Sequence, residues 1–195
     1  MSKSICILNG HPENGGKHFC DALSDAYARG AQWDGHSVSR INIGPMDIGF
    51  LRTPEEFDRD PAEPVLSERE KIAAADHLVM IYPLWLGALP AKLKAFLEAA
   101  AAGGFFLGEM DDPNKFPVGR MKGKSARLIV TMGMPGLAYR FLFGAHSLKA
   151  TEQGIMKIAG FNPVRHTIIG MVEGLGDKGR ARVLKRVEKL GERAL

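Results

Sequence analysis

A short apolar run near the middle of the chain, residues 78–81 (LVMI), constrains the fold more than any other stretch. Four consecutive apolar residues without polar alternation are typical of a strand buried on both faces, as in the centre of a parallel sheet. Pro83 has no N–H group to donate and is expected to end this strand. Pro90 fits the first turn of a helix, because a missing N–H group costs nothing there. Apolar residues then recur at helical spacing: Leu93, Phe96, Leu97 and Ala100.

The loop between this strand and this helix begins with the sequence PLWLG, residues 83–87. Open α/β sheets bind ligands at the carboxyl ends of their strands, which is where the loop lies. An ordinary strand-to-helix connection, with Trp85 as a packing residue, explains the periodicity equally well. The loop by itself therefore leaves both interpretations open.

The same alternation of strand and helix extends over the whole chain. Strands are predicted at residues 4–9, 36–43, 127–131 and 164–171, and helices at 19–33, 151–159 and from Asp177 onward. A further short helix before the central strand is expected to be capped by Ser67, with Glu68 and Glu70 in its first turn. Right-handed crossovers then give a single domain, residues 1–195, with a doubly wound five-stranded parallel sheet in the order 2-1-3-4-5.

Two connecting segments, residues 44–67 and 103–124, are too long to be passive connectors. Both are rich in residues that interrupt regular structure, and neither shows a sustained apolar period. We expect them to cover part of the surface or to contact a partner subunit.

Three loops leave the carboxyl ends of strands that are neighbours in this order. The first, residues 10–18 (GHPENGGKH), opens a helix and carries Gly15 and Gly16, which is typical of a weak anion site supplemented by Lys17 and His18. The second is the Trp85 loop, and the third is residues 131–136 (TMGMPG), followed by Tyr139 and His146. A flat aromatic cofactor with a phosphate tail fits this combination.

Charge and composition exclude several other functions. The net charge of +4 equals the excess of basic over acidic residues in the segment 177–195. The basic residues of this segment surround an apolar helical stripe. A solvated helix face explains that excess, and we reject nucleic-acid binding as the primary role. No apolar run approaches the 18 residues of a membrane span. Two isolated cysteines favour a reduced, cytoplasmic protein, and the six histidines show no metal-binding spacing.

Four stretches carry a specific resemblance: ILNGHPENG, ADHLVMIYPLWLGALPAKLKAFLE, TMGMPGLAYRFLFGAH and GIMKIAGF. On these the sequence resembles the flavodoxin-like NAD(P)H:quinone oxidoreductases, the DT-diaphorase and modulator-of-drug-activity group, over nearly its whole length. The resemblance implies a flavodoxin-like fold, a bound flavin (FMN or FAD), NAD(P)H as co-substrate, a quinone-like acceptor and a homodimer.

The resemblance also assigns site residues by position. Tyr139 and His146 correspond to the pair that handles the proton and the charge accompanying hydride arrival at the flavin, and such a donor is what that chemistry requires. Lys17 stands where the family has a serine or threonine, and Trp85 where it often has a glutamine. The cofactor-binding residues are His11, Lys17, His18 and Phe19 near the phosphate, Pro83, Leu84, Trp85 and Leu86 along the isoalloxazine, and Thr131, Met132, Gly133 and Tyr139 beyond it.

Three classes of function remain open from the sequence. The first is two-electron reduction of a quinone-like acceptor by NAD(P)H through a flavin, with both substrates using one crevice in turn. The second is a regulatory subunit of a potassium-efflux system, since such subunits resemble the same family. The third is a flavodoxin-type electron carrier, although those proteins are usually strongly acidic.

Overall fold

The computed structural model of the chain describes residues 2–15, 17–108 and 117–195. Gly16 and residues 109–116 of the second long segment lie outside the described residues. The five predicted strands form one parallel sheet in the order β2-β1-β3-β4-β5, which confirms the predicted topology. The strands are β1 (Ser4–Asn9), β2 (Ser37–Asn42), β3 (His77–Pro83), β4 (Ser125–Thr131) and β5 (Val164–Ile169).

Helices cover both faces of the sheet. One face is covered by α1 (Phe19–Trp33) and α7 (Gly176–Glu192). The other is covered by α3 (Val65–Ala74), α4 (Ala91–Ala101) and a segment composed of α6 (His146–Ala150) and a π-helix (Thr151–Lys157). Two short helices, α2 (Pro54–Phe57) and α5 (Gly136–Phe141), lie in the connections. In the part of the chain that the structure describes, no helix has the length and apolarity needed to cross a membrane.

The central strand β3 divides its side chains between two cores, as the unbroken apolar run predicts. Leu78, Met80 and Tyr82 pack into the core under α3 and α4, whereas Val79 and Ile81 pack into the core under α1. Successive side chains of a strand point to opposite faces, so a strand covered on both sides must be apolar throughout. The strand ends at Pro83, as expected.

Helices α1 and α7 make an unusually close contact through two glycines. A Cβ atom added to Gly191 would lie 2.1 Å from the Tyr27 carbonyl oxygen, and one added to Gly30 would lie 1.9 Å from that of Glu188. Each helix thus approaches the other's backbone at a point where only glycine fits. The seven basic residues of the segment 177–195 are exposed, which confirms the solvated face.

Three local predictions need correction. The helix that Ser67 was expected to cap begins at Val65, with Pro64 as the residue before its first turn. The Ser67 hydroxyl lies inside the first turn and donates to Glu63 Oε2 at 2.7 Å. Pro90 is the residue before α4 and not part of its first turn. The predicted helix at 151–159 is helical, but seven of its residues form a π-helix.

The first long segment is fastened to the end of α4. Arg69, nearly buried in α3, donates from Nη1 to the Ala102 carbonyl at 2.9 Å and from Nη2 to Asp60 Oδ1 at 2.6 Å. Its guanidinium also lies 4.8 Å from the centre of the Phe105 ring. The two long segments therefore meet around one arginine, on the side of the sheet that carries α3 and α4.

Candidate active site

The loop after β1 is held in shape by a half-buried carboxylate. Asp21, in the first turn of α1, accepts from the Asn9 side-chain amide at 2.5 Å and from the His18 backbone N–H at 2.8 Å. Asn9 Oδ1 in turn accepts from the His11 N–H at 3.1 Å. The strand end, the loop and the helix start are thus tied together, leaving the His11, Lys17 and His18 side chains to face outward.

Two histidines of this loop stack on one another. The His11 and His18 rings are 3.8 Å apart with an interplanar angle of 13°, and His18 Nε2 lies 3.1 Å from Glu13 Oε2. Burial lowers the pKa of His11, and the neighbouring His18 lowers it further, so the stack favours a neutral His11. A negatively charged group beside the stack would offset both of these effects on His11.

The same three side chains bring potential metal ligands together, which the sequence spacing did not predict. One ligand atom from each of His11, Glu13 and His18 lies within 4.8 Å of the other two. However, imidazole lone pairs lie in the ring plane, and the two stacked rings hold them in nearly parallel planes with ring centres 3.8 Å apart, which makes convergence on one ion difficult. His11 Nδ1 also accepts from the Glu13 N–H at 3.3 Å. Because His11 Nδ1 is already engaged, the cluster is poorly arranged to bind a metal ion through all three residues.

The loop after β3 is a tight turn in an unusual conformation. Trp85 and Ala88 exchange both backbone hydrogen bonds, at 3.0 and 2.9 Å, around Leu86 (φ 46°) and Gly87 (φ 76°). Two successive left-handed residues are typical of a type I′ turn, for which Leu is a poor choice. Leu86 is nonetheless fully exposed, and Trp85 is 50% exposed. Folding alone gives no reason for an exposed leucine here, whereas contact with a ligand does.

This turn gives a test of that interpretation. Leu86→Gly is expected to raise the free energy of unfolding of the ligand-free protein by about 0.5–1 kcal/mol, because glycine adopts a left-handed conformation without strain. The same variant should bind a flat aromatic ligand more weakly, because an apolar contact is lost. Chemical denaturation with and without ligand measures both effects. A variant less stable than the parent would contradict the strain at Leu86, and unchanged ligand affinity would contradict a ligand-contacting role.

The three strand-end loops meet, as predicted. The Trp85 ring meets the His11 ring edge-on at 6.1 Å, with an interplanar angle of 80°. The Leu84 N–H donates to the Thr131 carbonyl at 2.7 Å, which joins the end of β3 to the end of β4. Beyond Thr131, a Cβ atom added to Gly133 would meet nothing within 4 Å, so this part of the third loop borders open space. The three loops therefore border one surface, the candidate crevice, at the carboxyl ends of β1, β3 and β4.

The structure separates the environments of Tyr139 and His146. Tyr139 is 3% exposed, and its oxygen lies 2.8 Å from Ser147 Oγ and accepts from the Leu148 N–H at 3.3 Å. His146 is exposed at the start of α6, after the left-handed Ala145. Its ring packs over Gly144, where a Cβ atom would lie 2.5 Å from His146 Nε2. Ser147, whose hydroxyl contacts Tyr139, is a residue that sequence patterns did not single out.

An apolar cavity adjoins this group. It has a volume of about 410 Å³ and lies between the start of α4 and the π-helix. Sequence periodicity could not have located it, because a π-helix has no distinct hydrophobic signature at this length, although π-helical turns are frequent at functional sites. Its wall consists of Ala88, Leu89, Lys94, Ser147, Ala150, Thr151, Gly154 and Ile155.

Comparison with known proteins gives a consistent result. A family described by its flavodoxin-like fold matches residues 3–193. An uncharacterized NAD(P)H oxidoreductase of Haemophilus influenzae is 24% identical over 184 residues, covering 92% of this chain and 89% of its own. An FMN-dependent NADH:quinone oxidoreductase of Ruegeria pomeroyi is 26% identical over 169 residues, covering 75% of this chain and 79% of its own.

Solved structures extend the likeness to the fold. The NAD(P)H:quinone oxidoreductase of Methanothermobacter marburgensis superposes with a TM-score of 0.84 at 23% identity and covers both chains completely. At this level of identity the superposition shows a shared architecture, and it assigns no role to the residues of the site.

Proposed function

The chain belongs to the flavodoxin-like NAD(P)H:quinone oxidoreductase family, and we propose that it is a flavin-dependent enzyme that transfers electrons from NAD(P)H to a quinone-like acceptor. The observation that carries the proposal is the meeting of the His11 loop and the Trp85 turn, whose rings are 6.1 Å apart, at the carboxyl edge of the sheet. One loop offers groups suited to an anion, and the other offers an exposed apolar surface. A flavin phosphate has a matching part for each, an anionic phosphate and a flat ring system.

The residues of the crevice fit such a cofactor. The start of the 15-residue helix α1 suits the phosphate, because the amino end of a helix favours negative charge. The side chains proposed to contact the phosphate are His11, Lys17 and His18. The exposed Trp85 and Leu86 suit the face of the isoalloxazine, and the open space at Gly133 suits its polar edge. The remaining proposed contacts are those of Phe19, Pro83, Leu84, Thr131, Met132 and Tyr139.

The protein's part in the reaction is to bind, orient and neutralise charge. When bound, the flavin would supply the two-electron chemistry, accepting a hydride from NAD(P)H and returning electrons to the acceptor. Tyr139 and His146 would stabilise the negative charge that develops in the crevice, Tyr139 from a buried position and His146 from the surface. The apolar cavity beside Ser147 would hold the nicotinamide and the acceptor in turn, giving ping-pong kinetics.

Flavin uptake is the first expected result. The chain has two tryptophans, and in a Trp33→Phe variant Trp85 alone reports on the crevice. Titration with FMN or FAD should quench its fluorescence at micromolar concentration or below, and Trp85→Ala should weaken binding about tenfold through lost stacking. Trp33→Ala, 88% exposed at the far end of α1, is the matched control and should leave affinity unchanged. Mass spectrometry of the released cofactor distinguishes FMN from FAD.

Failure to take up either flavin at micromolar concentration would refute the proposal. With flavin bound, the isolated protein should oxidise NAD(P)H with a small quinone and give parallel lines in double-reciprocal plots. A regulatory subunit would bind flavin without such turnover, and a one-electron carrier would not accept electrons from NAD(P)H directly. Intersecting lines would contradict the shared crevice.

Cys6 and Cys20 are buried and unpaired, which is in keeping with a reducing compartment such as the cytoplasm.

We also propose a homodimer, supported by apolar side chains that the single chain leaves exposed. Leu137, Phe141, Leu142 and Phe143, on and after α5, are 71%, 78%, 78% and 55% exposed. A contiguous patch of this kind is typical of an interface. Light scattering should give twice the 21.2 kDa of the chain, and Phe141→Ser should shift the protein toward monomer while Trp33→Ser does not. A stable 21.2 kDa species for the parent protein would refute the dimer.

A further inference from the structure

The hydrogen bonds of Tyr139 leave its phenol without direct access to the crevice. The side chain is 3% exposed, and its oxygen accepts from the Leu148 N–H at 3.3 Å. Its second contact is Ser147 Oγ at 2.8 Å. The Leu148 N–H can only donate, so the phenol oxygen accepts on that side. The buried phenol proton also needs an acceptor, and on that ground we assign the 2.8 Å contact as donation from Tyr139 to Ser147 Oγ.

This direction fixes the orientation of the Ser147 hydroxyl. A serine oxygen that accepts from Tyr139 keeps its own hydrogen for another partner. Ser147 is half-buried and lines the apolar cavity of about 410 Å³, opposite Ala88 and Leu89 at the end of the Trp85 turn. Its backbone is also fixed, because Thr151 Oγ1 donates to the Ser147 carbonyl at 2.9 Å.

Thr151 and Lys94 are the other side chains of the cavity wall that can donate, and each has one partner within the protein. The Thr151 hydroxyl donates to the Ser147 backbone, and the Lys94 ammonium pairs with the Glu98 carboxylate. Among the described residues that line the cavity, Ser147 is therefore the hydroxyl oriented to donate into it. A bound ring would cover this open cavity, and an oriented donor is worth more once solvent no longer competes for it.

We propose that Ser147 is the hydroxyl donor that the cavity beside the crevice presents to the developing negative charge, and that Tyr139 is a positioning residue that acts through it. The inference rests on the proposed function and changes the part played by Tyr139 within it. No proton leaves Ser147 Oγ in this step. The hydroxyl donates a hydrogen bond, and Tyr139 holds it in the donating orientation.

A double-mutant cycle tests this arrangement in the flavin-loaded protein. Ser147→Ala should slow flavin reduction by NAD(P)H about tenfold in stopped-flow experiments, as expected for losing one hydrogen bond to charge. Tyr139→Phe should also cost about tenfold, but less than twofold when introduced into Ser147→Ala, because its effect passes through the serine. Ser147→Thr, which keeps the hydroxyl, should retain most of the rate.

The midpoint potential of the bound flavin is the second readout, which altered folding alone would not move in this pattern. A tenfold loss of charge stabilisation lowers a two-electron potential by about 30 mV. We expect this shift in Ser147→Ala and in Tyr139→Phe, with no further shift in the double variant. If Ser147→Ala folds poorly, Ser147→Cys, which carries a weaker donor of similar size, should give an intermediate shift.

Two outcomes would overturn the inference. One is a Ser147→Ala variant with unchanged rate and potential. The other is an undiminished effect of Tyr139→Phe in the Ser147→Ala background, which would mean that Tyr139 acts directly. Failure of the proposed function looks different, because the parent protein would then not bind flavin or not oxidise NAD(P)H.

Discussion

Combining Tyr139→Phe with His146→Gln is expected to slow reduction of the bound flavin by NAD(P)H about a hundredfold, or about tenfold for each residue. Each change removes one group that stabilises negative charge in the crevice, at a cost of about 1.4 kcal/mol in the transition state. Tyr139 is buried, so its effect should persist at high ionic strength, whereas the contribution of the exposed His146 should weaken there. Stopped-flow absorbance without quinone isolates this step.

Both variants should still bind flavin, since neither replacement touches the His11 loop or the Trp85 turn. His166→Gln is a suitable control, because His166 bonds Glu152 at 2.6 Å on the edge strand β5. It removes an imidazole of the same type outside the crevice and should leave the rate of flavin reduction unchanged. Reduction at the parent rate in both single variants would assign Tyr139 and His146 to packing.

Replacing Gly191 by Ala is expected to lower the free energy of unfolding by about 3 kcal/mol. The added methyl group would lie 2.1 Å from the Tyr27 carbonyl oxygen and 2.9 Å from the Ala31 nitrogen. Both neighbours are backbone atoms of α1, so the contact can be relieved only by moving one helix away from the other. For a chain of this length the change corresponds to a fall in melting temperature of about 10 °C.

The control for this prediction is Gly49→Ala, where an added Cβ atom meets nothing within 4 Å. That variant should melt within a degree or two of the parent. Because α1 begins at the phosphate loop, Gly191→Ala should also weaken flavin binding, although residue 191 lies at the other end of the helix pair. A melting temperature equal to that of Gly49→Ala would show that the two helices are not in close contact.

The order of the sheet was predictable from the chain alone. An apolar run such as residues 78–81 has to be covered on both faces, and the helices between successive strands provide that cover. Right-handed crossovers then leave few topologies, and β3 lies at the centre as predicted. The convergence of the three loops follows, because parallel neighbouring strands end at the same edge.

Local details were less predictable, because competing signals lie close together in the sequence. The helix expected to start at Ser67 starts at Val65, since the turn at Pro64 outweighs the capping tendency of the serine. The helix after α6 was predicted, but not its π-helical form. A hydrophobic period identifies a helix and its buried face without specifying its hydrogen-bond pattern.

The pairing of site residues was decided by tertiary structure. Sequence and resemblance together named Tyr139 and His146, yet the hydroxyl next to Tyr139 belongs to Ser147, which no pattern distinguishes. The stack of His11 on His18 and the left-handed Leu86 likewise depend on how separate loops meet. Periodicity reports which face of an element is buried, and so determines the fold. Distances between side chains on different elements arise only once the elements pack, and these distances decide the chemistry.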